Sequence, residues 1–359
     1  MKRAVQALIG LVIGFGLLWL LFHDTQWDKV ADAIRNVHLG WFIFAQVFLW
    51  ASFPLRVQRW SYIVRIAQPT SYKHMFAATQ IGFLANFVLL ARAGEAVRAL
   101  VLTRLTGIKF TKSFAMVALD RVTDLVALMV VILISLAAYR PENDVIIPAE
   151  TFGTPNAIVF SAAQYRLGAI SVGIALCAII ASFVFLYTNR TIILRISDFF
   201  LRLISKKLAA TVHDILNSFA DGLQVFRSPS AMFKALFFSM LTWGASLIFF
   251  VGMFEAFHLD YPWYAPFVMM AILNVFIAAP GAPGFVGQFH VPIVITLVML
   301  IAGIDVDLAK AVAIIAHLAQ LPPIGILGIY SLATSGMGLF QLNKEGAELK
   351  QQAQEDDAD

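Results

Sequence analysis

Six apolar runs, each about as long as a bilayer crossing, constrain this chain more than anything else in it. They are Ala4 to Phe22, Leu39 to Leu55, Phe114 to Ala138, Leu167 to Tyr187, Ala235 to Phe257 and Ala311 to Gly336. About 20 helical residues cross the ~30 Å hydrocarbon core, and only helices or closed barrels satisfy their backbone there. Charged residues make up 13% of the chain, roughly half the share in a soluble domain. The pattern predicts an all-α polytopic membrane protein.

The first run follows Met1-Lys2-Arg3 but has no small-residue cleavage site before His23-Asp24, which reads as a retained span rather than a signal peptide. Lys and Arg collect in loops on the cytoplasmic side. The segments 1–3, 56–74, 104–113 and 188–234 are each net positive. Those at 23–38, 139–166 and 304–310 are each net negative, and Asp260 is alone in its loop. Both ends of the chain are therefore expected inside. Cys177, the single cysteine, excludes an intrachain disulfide and any cysteine metal cluster.

Two further apolar stretches are interrupted by residues that a straight lipid-facing helix would not carry. The first, 75–105, breaks at Arg92-Ala93-Gly94-Glu95 between two basic loops. The second, 263–303, breaks at Pro280-Gly281-Ala282-Pro283-Gly284 between two acidic ones. Re-entrant helical hairpins entering from opposite faces satisfy this pattern. Irregular backbone at that depth is tolerated only where protein buries it or a cavity solvates it. The expected architecture is an inverted-topology repeat of three spans plus one re-entrant hairpin each: 1–138, an outer loop at 139–166, then 167–336. An amphipathic cytoplasmic segment is expected at 190–230, and an acidic cytoplasmic tail at 337–359. Asn86 and Asn274 each precede their break by six residues. In such transporters the substrate sits near the midplane, between broken helices whose N-terminal ends face it.

Arg92, Glu95 and Arg98 recur every third residue, and Asp120 and Asp124 are four apart with Arg121 beside the first. Each set shares a helix face. Charges at membrane depth cost about 2.5–3.5 kcal/mol apiece unless they pair or meet water. Two readings stand side by side: an ion-pair network that locks the hairpin to the next span, and an anion site. Arg56 and Arg59 add two charges without obvious partners, and half-helices beginning near Glu95 and Phe285 would direct positive dipole ends inward. Arginine throughout suits the bidentate geometry of phosphate. Gly281, Gly284 and Gly287 read as a hairpin tip or as backbone N–H groups along a path. Gln288, His290, His317 and Gln320 add polar contacts, with His317 a candidate for proton coupling. Neither a nucleotide loop nor a nucleophile–base motif is present, and the sequence implies no catalytic residue, cofactor, metal or nucleic-acid partner.

Arg56-x-x-Arg59-Trp60, Asn86 with Arg92-Ala93-Gly94-Glu95-x-x-Arg98, Asp120-Arg121-x-x-Asp124 and Pro280-Gly281-Ala282-Pro283-Gly284-x-x-Gly287 together resemble the lysylphosphatidylglycerol synthase transmembrane region, a flippase-like family. The resemblance covers nearly the whole chain. It implies a translocase for an anionic phospholipid or lipid-linked head group in the bacterial cytoplasmic membrane. Its substrate-binding set would be Arg56, Arg59, Asn86, Arg92, Gly94, Glu95, Arg98, Asp120, Arg121, Asp124, Asn274, Pro280, Gly281, Gly284, Gln288 and His317. Leu90, Asp120 and Gln288 depart from the family pattern of Pro, Glu and Glu, and Gln288 removes a titratable group from the second hairpin. About two dozen residues follow the last span, so the soluble aminoacyl transferase domain of the synthases is not expected. Two rivals remain: an accessory subunit of an envelope glycolipid or glycosyltransferase system, and an intramembrane lipid-modifying enzyme using Asp120 or Glu95 as base.

Overall fold

The computed structural model describes residues 2–89, 93–189, 228–279 and 282–338, omitting the side chains of 2–9, 169, 183, 184, 186 and 187. Arg92, Pro280, Gly281, nearly all of the expected amphipathic segment and the tail from 339 onward lie outside these residues.

Twelve helices are described in chain order: α1 (Lys2–Phe22), α2 (Trp27–Arg35), α3 (Leu39–Ala67), α4 (Tyr72–Val88), α5 (Gly94–Thr106), α6 (Phe110–Ala138), α7 (Ala162–Thr188), α8 (Pro229–Ala256), α9 (Ala265–Ala278), α10 (His290–Leu300), α11 (Val306–Leu318) and α12 (Leu321–Ser335). The segment between α6 and α7, expected to be plain loop, pairs β1 (Val145–Ile147) antiparallel with β2 (Ile158–Phe160). Its Val/Ile content favours strand once hydrocarbon no longer dictates helix.

Six segments are long and apolar enough to cross a membrane: 39–67, 110–138, 162–182, 229–256, 283–300 and 306–335. Five of the expected spans are among them, and the arm at 283–300 joins the set. α1, the expected first span, is 21 residues long, of which Gly10–Phe22 have described side chains, and Ala265–Ala278 is a shorter apolar helix. The last span starts at Val306 rather than Ala311, and it breaks between α11 and α12. Pro322 and Pro323 lack the N–H groups that would continue the α11 ladder through Leu318 and Ala319.

Side chains and glycines set the helix ends. His38, Ser71, Ser228 and Asp305 cap α3, α4, α8 and α11, Ser161 and Gln164 form a capping box on α7, and Gly107 and Gly336 end α5 and α12 with positive φ.

At the centre α3 and α8 pack antiparallel along most of their length. His38 N donates to Ala256 O at 2.8 Å, Gly252 lies against Ala45, and Tyr62 meets Phe238 at 5.6 Å. Small residues at such a crossing let backbones approach, which is how helices gain contact without a hydrophobic driving force. The α4–α5 hairpin packs against α12 and α6, and α9 and α10 pack against α6 and α11. One end of the bundle carries α2 and the strands, hereafter the strand end. The other carries the turns at 68–71 and 107–109, tied by Gln68 to Thr106 O and Lys112 to Ala67 O.

Candidate functional site

α4 and α5 both start and finish away from the strand end, and their junction reaches α6 at Arg121, about 17 Å along that helix. Two features close the junction. Asn86 Oδ1 accepts from Gly94 N–H at 2.8 Å, satisfying an orphan donor of α5. Gly94 itself sits against Gly82 O and Asn86, so a side chain there has no room.

Around this junction lies a continuous ion-pair cluster. Arg59 from α3 grips Asp120 with two hydrogen bonds, Nε–Oδ1 at 2.7 Å and Nη2–Oδ2 at 3.0 Å, and its Nη1 donates to Asp124 Oδ1. Arg98 Nη1 donates to Asp120 Oδ2 at 2.7 Å. Arg121 bridges Glu95 Oε1 at 3.0 Å and Asp124 Oδ2 at 3.3 Å, and Asn86 Nδ2 donates to Glu95 Oε1 at 3.3 Å. The cluster is graded. Arg59, Arg98 and Asp120 are almost fully buried, whereas the Arg121 and Glu95 side chains keep 35% and 32% exposure.

Arg59, expected to be uncompensated, is instead the most heavily paired cation of the site, because its carboxylate partners come from α6, 61 and 65 positions away. Arg56 makes no ion pair among the described residues and lies over the Phe83 ring at 5.7 Å. Arg56, Arg59, Arg98 and Arg121 face Glu95, Asp120 and Asp124, leaving one positive charge in excess among the described residues. Among the described residues, Arg98 Nε and Nη2 and Arg121 Nε are buried without a hydrogen-bond partner. A buried charged donor left unmade costs several kcal/mol, so these are places where an anion's oxygens would be stabilised.

Two tryptophans belong to this site and were not singled out for a role from sequence. Trp243 on α8 donates its indole N–H to Asp124 Oδ1 at 2.9 Å. Trp60 stacks beneath the Arg98 guanidinium at 3.7 Å while donating to Met116 O. Within an apolar helix a tryptophan looks like core, and only the Arg59-Trp60 pairing marked one of them.

The second group of expected residues forms a separate place. Gln288 Nε2 donates to Phe276 O and Ala279 O at 3.0 and 2.8 Å, closing the C-terminal end of α9. His317 Nε2 bonds Gly284 O at 2.7 Å and its ring meets Phe289 and His290 at 5.1 and 4.6 Å. Gly284 and Gly287 have φ of +67° and +79°, and Gly287 sits against Gly14 of α1. The second half-helix, α10, begins at His290 rather than near Phe285. Asn274 joins neither group, since among the described residues its amide bonds only Met270 O in its own helix. Gln320 lies in the break between α11 and α12. The two groups meet through Phe87 of α4, which lies against Gly284 and 5.9 Å from the His317 ring.

The helices and the buried cluster define a multi-pass membrane protein with a polar, charge-bearing interior. The profile of the lysylphosphatidylglycerol synthase TM region matches residues 7–328, and the chain belongs to that family. It is also similar to a protein named glycosyltransferase AglD from Haloferax volcanii, 25% identical over 363 aligned positions. That similarity takes in 98% of this chain but 58% of the relative's length.

Proposed function

We propose that this protein is a lipid translocase of the bacterial cytoplasmic membrane, moving an anionic phospholipid or lipid-linked head group by alternating access. The observation that carries the reading is the set of three unpartnered guanidinium donors in a net-positive cluster inside an apolar bundle. The buried part, Arg59 with Asp120, Asp124 and Trp243, holds the geometry. Arg98, Arg121, Arg56 and Arg92 receive the head group, and Glu95 exchanges partners with it.

Several features support an inverted repeat with both termini inside. The α4, α5 and α9 arms of 17, 13 and 14 residues, about 26, 20 and 21 Å long, fall short of ~30 Å, as arms of re-entrant hairpins would. The first arm of each pair packs on the last span of the other half, and the antiparallel α3–α8 pair lies between the halves. Rocking of the halves would expose the cluster alternately.

Head-group transport in proteoliposomes tests the proposal. Arg98→Ala and Arg92→Ala should each abolish most transport, the former also costing stability because Asp120 loses a partner, and Arg98→Lys, which keeps the charge, should still impair transport because the fork is lost. Transport at the wild-type rate in both alanine variants would overturn it.

A second reading, an accessory subunit of a glycolipid or glycosyltransferase system, is favoured by the name of the relative. Co-purification of an enzyme that survives detergent, with no transport by the isolated chain, would select it.

A further inference from the structure

α7 is the least packed of the long helices: only 6% of its span is buried, and it rests chiefly on α6. Between these two helices, at the strand end, is a cavity of about 280 Å³. Ile132 and Leu136 of α6, Val172 of α7, Val275 of α9 and Ile295 of α10 wall it, and Val145 and Phe160 of the strands line its upper edge. A second apolar groove continues along the same pair of helices toward the other end, between Met129 and Val130 of α6 and Cys177 and Ala181 of α7.

We propose that this seam seats one acyl chain of a membrane phospholipid lengthwise between α6 and α7, independently of the translocase reading. The lining converges from α6, α7, α9, α10 and the strands, and the apolar seam continues between α6 and α7, a course that an extended hydrocarbon chain can follow. Chemistry decides against a polar ligand, because the wall is aliphatic and aromatic apart from Ser135, Gln164 and the Tyr165 hydroxyl near the mouth.

The mouth has the marks of a membrane interface. Tyr139 meets Tyr165 at 5.1 Å and Tyr264 at 5.9 Å, with Trp263 edge-on to Tyr264 at 5.8 Å. Tyrosine and tryptophan gather at headgroup level. A chain hanging from that level enters an apolar shaft directly below it. Gly168 lines the cavity, and a Cβ placed on it would meet nothing within 4 Å, so the space beside it is open.

The whole chain is reconstituted into phosphatidylcholine vesicles containing a phospholipid with a mid-chain diazirine, and adducts are mapped by peptide mass spectrometry. Adducts should concentrate on Ile132, Val172, Val275 and Ile295, and a diazirine at the chain terminus should move them to Met129, Val130 and Ala181. Gly168→Leu fills the cavity and should lower labelling several-fold. Val275→Phe, at its rim, should do the same should the first variant fold poorly. Gly16→Leu, on the exposed face of α1 with equally open space, should change nothing. Adducts spread evenly over lipid-facing positions such as Val12, Phe15, Ile170 and Ile174 would mean bulk lipid only and overturn the proposal. So would labelling indifferent to Gly168→Leu and Val275→Phe, or seam residues silent because a second copy covers them.

Discussion

Asp120 accepts three hydrogen bonds from two arginines, and both of those arginines are buried with it. Taking one partner from such a set leaves charges uncompensated, which costs about 3–5 kcal/mol. Asp120→Leu should therefore destabilise the protein strongly. Arg59→Met combined with it should recover part of the loss, since one cation leaves with the anion; detergent unfolding curves of the two variants measure this. A double variant less stable than the single one would contradict the pairing. The charges themselves were legible in sequence, because six ionisable residues in an apolar setting stand out. Their partners were not: periodicity reports neighbours three or four positions away, whereas Arg59 pairs across 61 positions and Trp243 with Asp124 across 119.

Among elements, the α4–α5 hairpin depends on one close approach. A methyl at position 94 would strike Gly82 O and the Asn86 amide, so Gly94→Ala should splay the tip and cost ~1–3 kcal/mol. Gly173→Ala in α7, where the space is open, should be silent in the same thermal melt. At the strand end, α2 is held to α11 by Lys29 and Asp305 at 3.1 Å, both about half exposed. The hydrogen bond to Asp305, with its charge, raises the Lys29 ammonium above its ordinary value. Burial pushes the Asp305 carboxyl up, but the Asp307 backbone N–H and Lys29 outweigh it and hold it low. The contribution of this pair is thus complete between the unfolded values, about 4 and 10.4. It fades only as pH falls through the lowered Asp305 value or rises through the raised Lys29 value. Exposure and salt screening keep it small. The stability difference between wild type and Lys29→Ala should be flat from about pH 5 to 9 and shrink in molar salt. A difference that grows with salt would show that Lys29 acts through packing. Spans were readable because the bilayer fixes their length; α2 and the strands lie outside hydrocarbon, where no such ruler applies.

For the whole molecule, what could be read from sequence was about six helices long and apolar enough to cross, and the breaks that precede α5 and α10, but not the one between α11 and α12. Which breaks touch could not be read. Phe87 against Gly284 joins the two hairpin tips, yet nothing in a row of apolar residues distinguishes that phenylalanine from Phe83, which instead lies beneath Arg56. The central α3–α8 pair carries a consequence in time. About 160 residues separate the end of α3 from the start of α8. At ~5–20 residues per second, α3 waits roughly 8–30 s in the membrane before its main packing partner is made. For the 119 positions between its own synthesis and that of Trp243 the Asp124 carboxylate has no indole donor, and throughout the interval the face of α3 that will meet Gly252 is bare. The nascent first half must be sheltered or be recognised as unfinished. A chain stopped after α7 should therefore be degraded much faster than the full chain in a pulse-chase, whereas equal lifetimes would mean that the first half is a self-sufficient folding unit. Membrane quality control, rather than transport, would then be the first process to register a substitution at Trp243.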